Sequence, residues 1–377
     1  MYTGLGDGRV VRLDPNGENP QAVFFTGGVV SAAGRAVGST TGVDFGNRLL
    51  HACHEKAKAK ELTLEDEREC GRPLGVRWRG GKLYILDAYH GLFELDVKKD
   101  GGARHLINSL TDMPVPLGGP DDAVAAETRA PFAFLNDFVF TKEGLIFLTD
   151  SSWKHPRAHN RREIIDGGAR GRLIRFDPRT GDLRTVLCGL HFPNGVEIDQ
   201  SEKKLLLVES MRFRILEIDL QGLLPGEPTH GNPPPSLAAG LAFCGENESL
   251  PEGVKIFTSS LPAGFVDGLA FDETRGGYIA SAGTKVALPF SPLHLALQKP
   301  GVIRTIIGKL VSIEFLDKAV PKYGLVFVLS ADGTMKESMH DTTGHTSFIS
   351  SAYRNSKSGY TFLGSSQNRY LGRVRLS

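Results

Sequence analysis

The stretch Leu190-His191-Phe192-Pro193-Asn194-Gly195-Val196-Glu197-Ile198-Asp199 decides how the fold is assigned. Pro193 fixes φ, Asn194 and Gly195 follow, and a period-2 strand pattern starts at once with Val196 and Ile198. An Asn at the mouth of a strand either closes a turn through its side chain or aims an amide oxygen into a cavity. The chain makes the same move at Phe134-Leu135-Asn136-Asp137-Phe138-Val139-Phe140 and at Gly264-Phe265-Val266-Asp267-Gly268-Leu269-Ala270-Phe271. Each time an apolar residue leads through an oxygen-bearing side chain into a strand. Long, similar intervals separate these mouths, which implies radial repetition with Asn136, Asn194 and Asp267 converging on one axis.

A second repeat lies beside the first. A strand, a short polar or Gly-containing turn and another strand ending near Asp recur as a cassette at residues 2–14 and 84–96. The third copy starts at 146–151 and resumes at 171–177, and the fourth is 205–209 with 214–219. A degenerate fifth copy begins at 277–281 and is completed after a long insert; the sixth is 360–364 with 371–376. Six such units predict an all-β fold, a six-bladed β-propeller over residues 1–377, because one unit cannot bury both faces alone. The innermost strand of the first blade is expected upstream of Met1.

Composition narrows the function. The 377 residues carry a net charge of +1 and no basic stripe, so nucleic acid is not an expected partner. No Pro/Ser-rich linker or charge block divides the chain. The cysteines Cys53, Cys70, Cys188 and Cys244 form no CxxC pair for zinc or redox chemistry. Cys53 and Cys70 flank a charged excursion, residues 51–69, that a disulfide would close, whereas Cys188 and Cys244 are expected not to pair with each other. Asn247-Glu248-Ser249 is a glycosylation sequon, and with the disulfide it leans toward a secretory compartment. No apolar run is long enough to span a bilayer, and no signal peptide opens the sequence.

Residues 155–168 are polar and basic and are expected to form a surface loop; residues 224–251, rich in Pro and Gly, read as another. The insert at 289–315 differs, since Val302, Ile303, Ile306, Ile307, Leu310, Val311 and Ile313 follow helical spacing beside Lys299, Arg304 and Lys309. It is expected to be a helix, either packed over one face of the propeller or in contact with a membrane surface.

Cys70-Gly71-Arg72-Pro73-Leu74-Gly75, Phe134-Leu135-Asn136-Asp137, Thr149-Asp150-Ser151-Ser152, Phe192-Pro193-Asn194-Gly195-Val196 and Gly264-Phe265-Val266-Asp267 resemble the strictosidine synthase-like family, on its adipocyte plasma membrane-associated branch. The resemblance runs over essentially the whole chain. It implies a six-bladed propeller related to paraoxonases, placed in the secretory pathway (endoplasmic reticulum or vacuole), at the cell surface or on a membrane, with a Cys53–Cys70 disulfide. The sequence also departs from the family. The Glu that calcium-binding relatives carry on the strand before residues 2–14 is absent, Gly268 follows Asp267 where Asn is common, Ser350 stands where strictosidine synthases carry a Glu, and Leu74 stands where paraoxonases carry a His.

The remaining chemistry rests on Asn136, Asn194 and Asp267, hard oxygen donors that suit Ca²⁺. His90 and His191 are the candidate general bases. Ser350, Ser351 and His345 lack a Gly-x-Ser-x-Gly elbow. Two readings stay open: a calcium-dependent arylesterase- or lactonase-like hydrolase of a small apolar ester, and a non-catalytic, membrane-associated propeller that binds a small-molecule ligand or a partner. The first is expected to polarise a substrate carbonyl with the ion. True strictosidine synthase activity is not expected, because Ser350 cannot serve as its acid/base.

Overall fold

The cassettes fold as antiparallel meanders, each strand paired with its neighbour in sequence. The computed structural model describes residues 1–27, 48–59, 61–97, 103–108, 113–117, 126–130, 132, 134–224, 250–259, 261, 264–285, 320–368 and 370–375. The first sheet holds β1 (Tyr2–Gly4), β2 (Arg9–Arg12) and β3 (Gln21–Phe25). After α1 (Arg48–Ala59) and α2 (Leu64–Cys70) comes the second, β4 (Pro73–Arg79), β5 (Lys82–Asp87), β6 (Gly91–Leu95) and β7 (Arg104–Asn108). A two-stranded pair, β8 (Met113–Leu117) and β9 (Ala126–Ala130), precedes the third sheet. That sheet is β10 (Leu135–Phe140), β11 (Ile146–Asp150), β12 (Gly171–Asp177) and β13 (Asp182–Leu190), with α3 (Asn160–Asp166) inserted between β11 and β12. The fourth is β14 (Pro193–Ile198), β15 (Lys204–Glu209), β16 (Arg214–Asp219) and β17 (Val254–Thr258). The fifth is β18 (Gly264–Asp272), β19 (Gly277–Lys285), β20 (Gly324–Leu329) and β21 (Met335–Asp341). The sixth is β22 (Ile349–Arg354), β23 (Tyr360–Ser365) and β24 (Gly372–Arg375). These six meanders are the blades of a six-bladed β-propeller.

By contacts the chain groups into two compact units. One comprises Met1–Val115, Glu127–Phe138 and Trp153–His159; the other comprises Pro116–Ala126, Val139–Ser152 and Asn160–Ser377. In the larger unit the middle strands are apolar without alternation because both faces are covered. Leu205, Leu206, Leu207 and Val208 of β15 are all fully buried. Leu205 and Leu207 pack toward Phe147, Leu173 and Leu187 of the third sheet. Leu206 and Val208 point the other way, to Val266, Ala280 and Phe327 of the fifth. Ile279 and Val326 continue the series onto Ile349 and Ala352 of the sixth. In three cassettes the closing Asp caps the next turn: Asp14, Asp177 and Asp219 accept the backbone N–H of Asn16, Arg179 and Gln221 at 2.9, 2.9 and 3.1 Å.

In the smaller unit Val10 and Phe24 of the first sheet meet Leu83, Ile85, Phe93 and Leu95 of the second. The charged excursion of residues 51–69 is largely two helices, and α2 opens on a capping box: Thr63 Oγ1 accepts from Asp66 N–H, and Thr63 N–H donates to Asp66 Oδ2. The expected Cys53–Cys70 disulfide joins the helices with a Cα–Cα distance of 5.8 Å. The closed hairpin then lies on a glycine track. A Cβ on Gly4 would stand 2.3 Å from Pro73 O, one on Gly6 2.4 Å from Arg72 Nη1, and one on Gly8 1.8 Å from Cys70 O.

Cys188, expected not to pair with Cys244, is itself disulfide-bonded; Cys244 lies outside the described residues. One expectation is corrected. Part of the segment at 155–168 is the helix α3 with Glu163 and Ile165 buried, not a plain surface loop. The helical insert at 289–315 and the Asn247 sequon fall outside the described residues. Among the described residues no helix is long and apolar enough to cross a membrane.

Candidate functional site: bulged inner strands

The first strand of a blade should pair residue for residue with the second, and these do not. Pro193 of β14 faces Glu209 and Val196 faces Leu207, so Asn194 and Gly195 together oppose Val208 alone. In β18 the pairs are Val266 with Ala282 and Leu269 with Ala280, leaving Asp267 and Gly268 opposite Ser281. An extra residue in one strand is a β-bulge, which bends the strand and re-aims a side chain. The oxygen-bearing residues singled out by sequence therefore sit where the backbone departs from the ladder.

The glycines explain how neighbouring bulges fit. A Cβ on Gly195 would lie 2.6 Å from Leu269 N and 2.8 Å from Asp267 O, so β14 and β18 approach backbone to backbone. A Cβ on Gly268 would lie 2.4 Å from Ser350 O and 3.2 Å from Ser351 Cα, which brings β18 equally close to β22. Asn194 and Asp267 are thus on adjacent inner strands. Asn136 occupies the mouth of β10, in the smaller unit.

Buried hydroxyls lock this register from the strand behind. Thr149 and Ser151, two residues apart and so on one face of the chain, donate to Asn194 O and Pro193 O, both at 2.7 Å. Ser210 donates to Val266 O at 2.5 Å and accepts from Asn194 Nδ2 at 3.3 Å. Asn194 is 3% exposed, and the bond to Ser210 uses its amide nitrogen. The alternate residues bond elsewhere: Asp150 pairs with Arg172 at 2.8 Å, both fully buried, and Ser152 donates to Glu163 at 2.7 Å. Burial lifts the Glu163 carboxyl above its ordinary range, against the Ser152 hydroxyl and the Arg170 charge.

The two histidines differ. His191 backbone N–H donates to Glu209 Oε1 at 2.8 Å, and its ring Nε2 lies 3.1 Å from Arg212 Nη2. Only a neutral imidazole lone pair can accept there, since guanidinium has no acceptor. His90, in the smaller unit, is 7% exposed, and its Nε2 has no hydrogen-bond partner among the described residues. Its backbone is held on both sides: Asp87 Oδ1 accepts its N–H at 3.0 Å, and His105 Nε2 lies 2.5 Å from its carbonyl.

A charged cluster in the same unit was missed from sequence. Tyr89 donates to Glu67 at 2.7 Å, Arg157 pairs with Glu67 at 2.6 Å, and Ala158 N–H donates to Tyr89 Oη at 2.9 Å. Burial and the nearby Arg157 charge lower Arg72 to about 10. Burial pushes Glu67 upward, but the charges of Arg157 and Arg72 outweigh it and hold the carboxyl below its ordinary range. This network fixes the disulfide-closed helices to the turn that carries His90.

Among the described residues no three His, Cys, Asp or Glu side chains gather as a metal group. The donors available at the bulges are amide and carboxylate oxygens, which fit a hard cation and exclude a thiolate or imidazole centre there.

Residues 136–220 match the family described as strictosidine synthase. The chain is 31% identical over 379 residues to the adipocyte plasma membrane-associated protein of Bos taurus, covering 100% of this chain and 73% of that one. It is 35% identical over 230 residues to strictosidine synthase-like 13 of Arabidopsis thaliana, covering 60% and 48%. Among solved structures it is similar to a gluconolactonase from Xanthomonas campestris, with a TM-score of 0.42, 15% identity and coverage of 78% and 69%. With a match that spans its whole length, the chain belongs to the strictosidine synthase-like family, beside the adipocyte plasma membrane-associated proteins.

Proposed function

We propose that this chain is a calcium-dependent hydrolase of small apolar esters or lactones, acting where the bulged inner strands present their oxygens. The observation that carries the reading is the paired bulge at Asn194-Gly195 and Asp267-Gly268, together with the Ser210 bond that holds the Asn194 amide nitrogen. Calcium takes carboxylate, amide and water oxygens in flexible geometry. Asn194 and Asp267 would hold it. When bound, such an ion polarises a substrate carbonyl and stabilises the oxyanion formed on attack. The protein's part is to keep the donors in place: Thr149, Ser151 and Ser210 fix the backbone of Pro193, Asn194 and Val266.

A base needs a free lone pair, and the His191 ring lies against Arg212. With one carboxylate in the set, binding should be loose. The experiment is hydrolysis of phenyl acetate by purified protein with calcium and with EGTA. The proposal expects turnover that EGTA abolishes and Asp267→Ala sharply lowers. Equal, background-level rates in both buffers would overturn it.

The name of the relatives favours a second reading, a membrane-associated propeller that binds a ligand without turning it over. Calcium binding without hydrolysis, with association to anionic liposomes, would select it.

A further inference from the structure

The disulfide-closed hairpin of the smaller unit has little core of its own. The buried residues of α1 are Leu50 and Cys53, and those of α2 are Glu67 and Cys70. In the cluster beneath them Phe25 of the first sheet meets Leu50 and the two cysteines, with Leu49 and Leu62 half-covered against it. A helix of seven residues is not stable in water alone, so α2 depends on what seats Cys70 and Glu67. These two stand three residues apart and share one side of the helix, so the bond that fixes the cysteine also fixes the carboxylate. Glu67 in turn holds groups outside the hairpin. Tyr89 Oη donates to it at 2.7 Å, and Arg157 pairs with it at 2.6 Å. Tyr89 Oη also accepts the Ala158 N–H at 2.9 Å. Arg157 and Ala158 lie in Trp153–His159, the link between β11 and α3 that groups with the smaller unit. The helical turn in that link, Arg157–His159, has no buried residue, so polar bonds carry its placement.

We propose that the Cys53–Cys70 disulfide is a redox-sensitive clasp on this link. Oxidised, it seats Glu67 so that the carboxylate holds Tyr89 and Arg157; reduced to two thiols, it lets α2 fray and frees residues 153–159. Opening takes two electrons and two protons from a thiol reductant, which leaves as a disulfide. The link begins directly after Ser152, so the clasp restrains the chain that leaves the Thr149–Ser152 segment. None of this depends on the calcium reading.

The test is hydrogen exchange, read by mass spectrometry on peptides covering Trp153–His159, with β15 as the reference. The Ala158 amide is the reporter, because its N–H is bonded to Tyr89. A reductant also opens the bond at Cys188, so the double variant Cys53→Ala/Cys70→Ala is compared with oxidised wild type. Exchange at 153–159 should quicken by at least about tenfold in the double variant while β15 keeps its protection. Glu67→Ala with the disulfide intact should quicken the same peptides, since it removes the bonds to Tyr89 and Arg157. Wild type treated with dithiothreitol should match the double variant at 153–159. Slow exchange there in the double variant, in Glu67→Ala or after dithiothreitol would overturn the proposal. So would a double variant in which β15 exchanges as fast as the link, because the disulfide would then hold the whole fold rather than one strap.

Discussion

Removing one hydroxyl, Ser210→Ala, should separate the scaffold from the site. Ser210 is fully buried and bonds Val266 O at 2.5 Å and Asn194 Nδ2 at 3.3 Å. Alanine leaves that carbonyl and that amide without partners, and each buried orphan costs about 1–3 kcal/mol. The longer contact counts for less, so the loss should be about 2–4 kcal/mol. Unfolding entropy of about 2.1 cal/mol/K per residue makes 1 kcal/mol worth about 1.3 °C for a chain of this length. Tm should therefore fall by about 3–5 °C in differential scanning calorimetry, while the exposed Ser201→Ala should shift it by less than 1 °C on that basis. The Asn194 amide is then free to rotate, and the calcium concentration for half-maximal stabilisation should rise about tenfold, equal to 1.4 kcal/mol. A lower Tm with an unchanged calcium response would refute the role given to Ser210 in aiming Asn194.

Three further outcomes follow from packing and charge. Gly8→Ala should destabilise by at least about 2 kcal/mol, because its Cβ would stand 1.8 Å from Cys70 O at a φ of 83°. Gly80→Ala, at a φ of 57° with open space around it, should cost only about 1 kcal/mol in urea denaturation. Burial raises the Glu163 carboxyl, so the folded state holds its proton more tightly than the unfolded chain, and stability from this group is lost as pH rises through the raised value. Wild type should accordingly outlast Glu163→Gln by more at about pH 4 than at about pH 8, and a gap that widens with pH would contradict the assignment. Thiol labelling in denaturant followed by peptide mapping should find Cys53, Cys70 and Cys188 unlabelled before reduction, since all three are disulfide-bonded.

What the sequence made legible was whatever repeats with a short period. The apolar runs of β15 and its counterparts, the closing Asp residues and the Phe-x-polar mouths are local signals, and they were sufficient for six blades. The bulges were not visible, because a register slip exists only relative to the partner strand; Asn194-Gly195 acquires its meaning from Val208 opposite. Thr149-Asp150-Ser151-Ser152 did carry a usable cue. Its hydroxyls at alternate positions predict one face bonded to the next blade and the other turned inward. The segment of α3 looked like a loop because Arg161 and Arg162 dominate it, whereas burial of Glu163 depends on Ser152 and Arg170 from either side. Cys188 could not be paired from spacing alone, since disulfide geometry depends on which strands come together.

The most direct measurement is the melting temperature in EGTA and in millimolar calcium, for wild type and Asp267→Ala. An ion that binds only the folded chain stabilises it by about 2.7 kcal/mol at a hundred times its dissociation constant. The account predicts that calcium raises Tm of the wild type by a few degrees, that EGTA reverses the rise, and that Asp267→Ala responds to neither. A wild-type Tm indifferent to both would contradict the metal site and leave the proposed hydrolase without its electrophile.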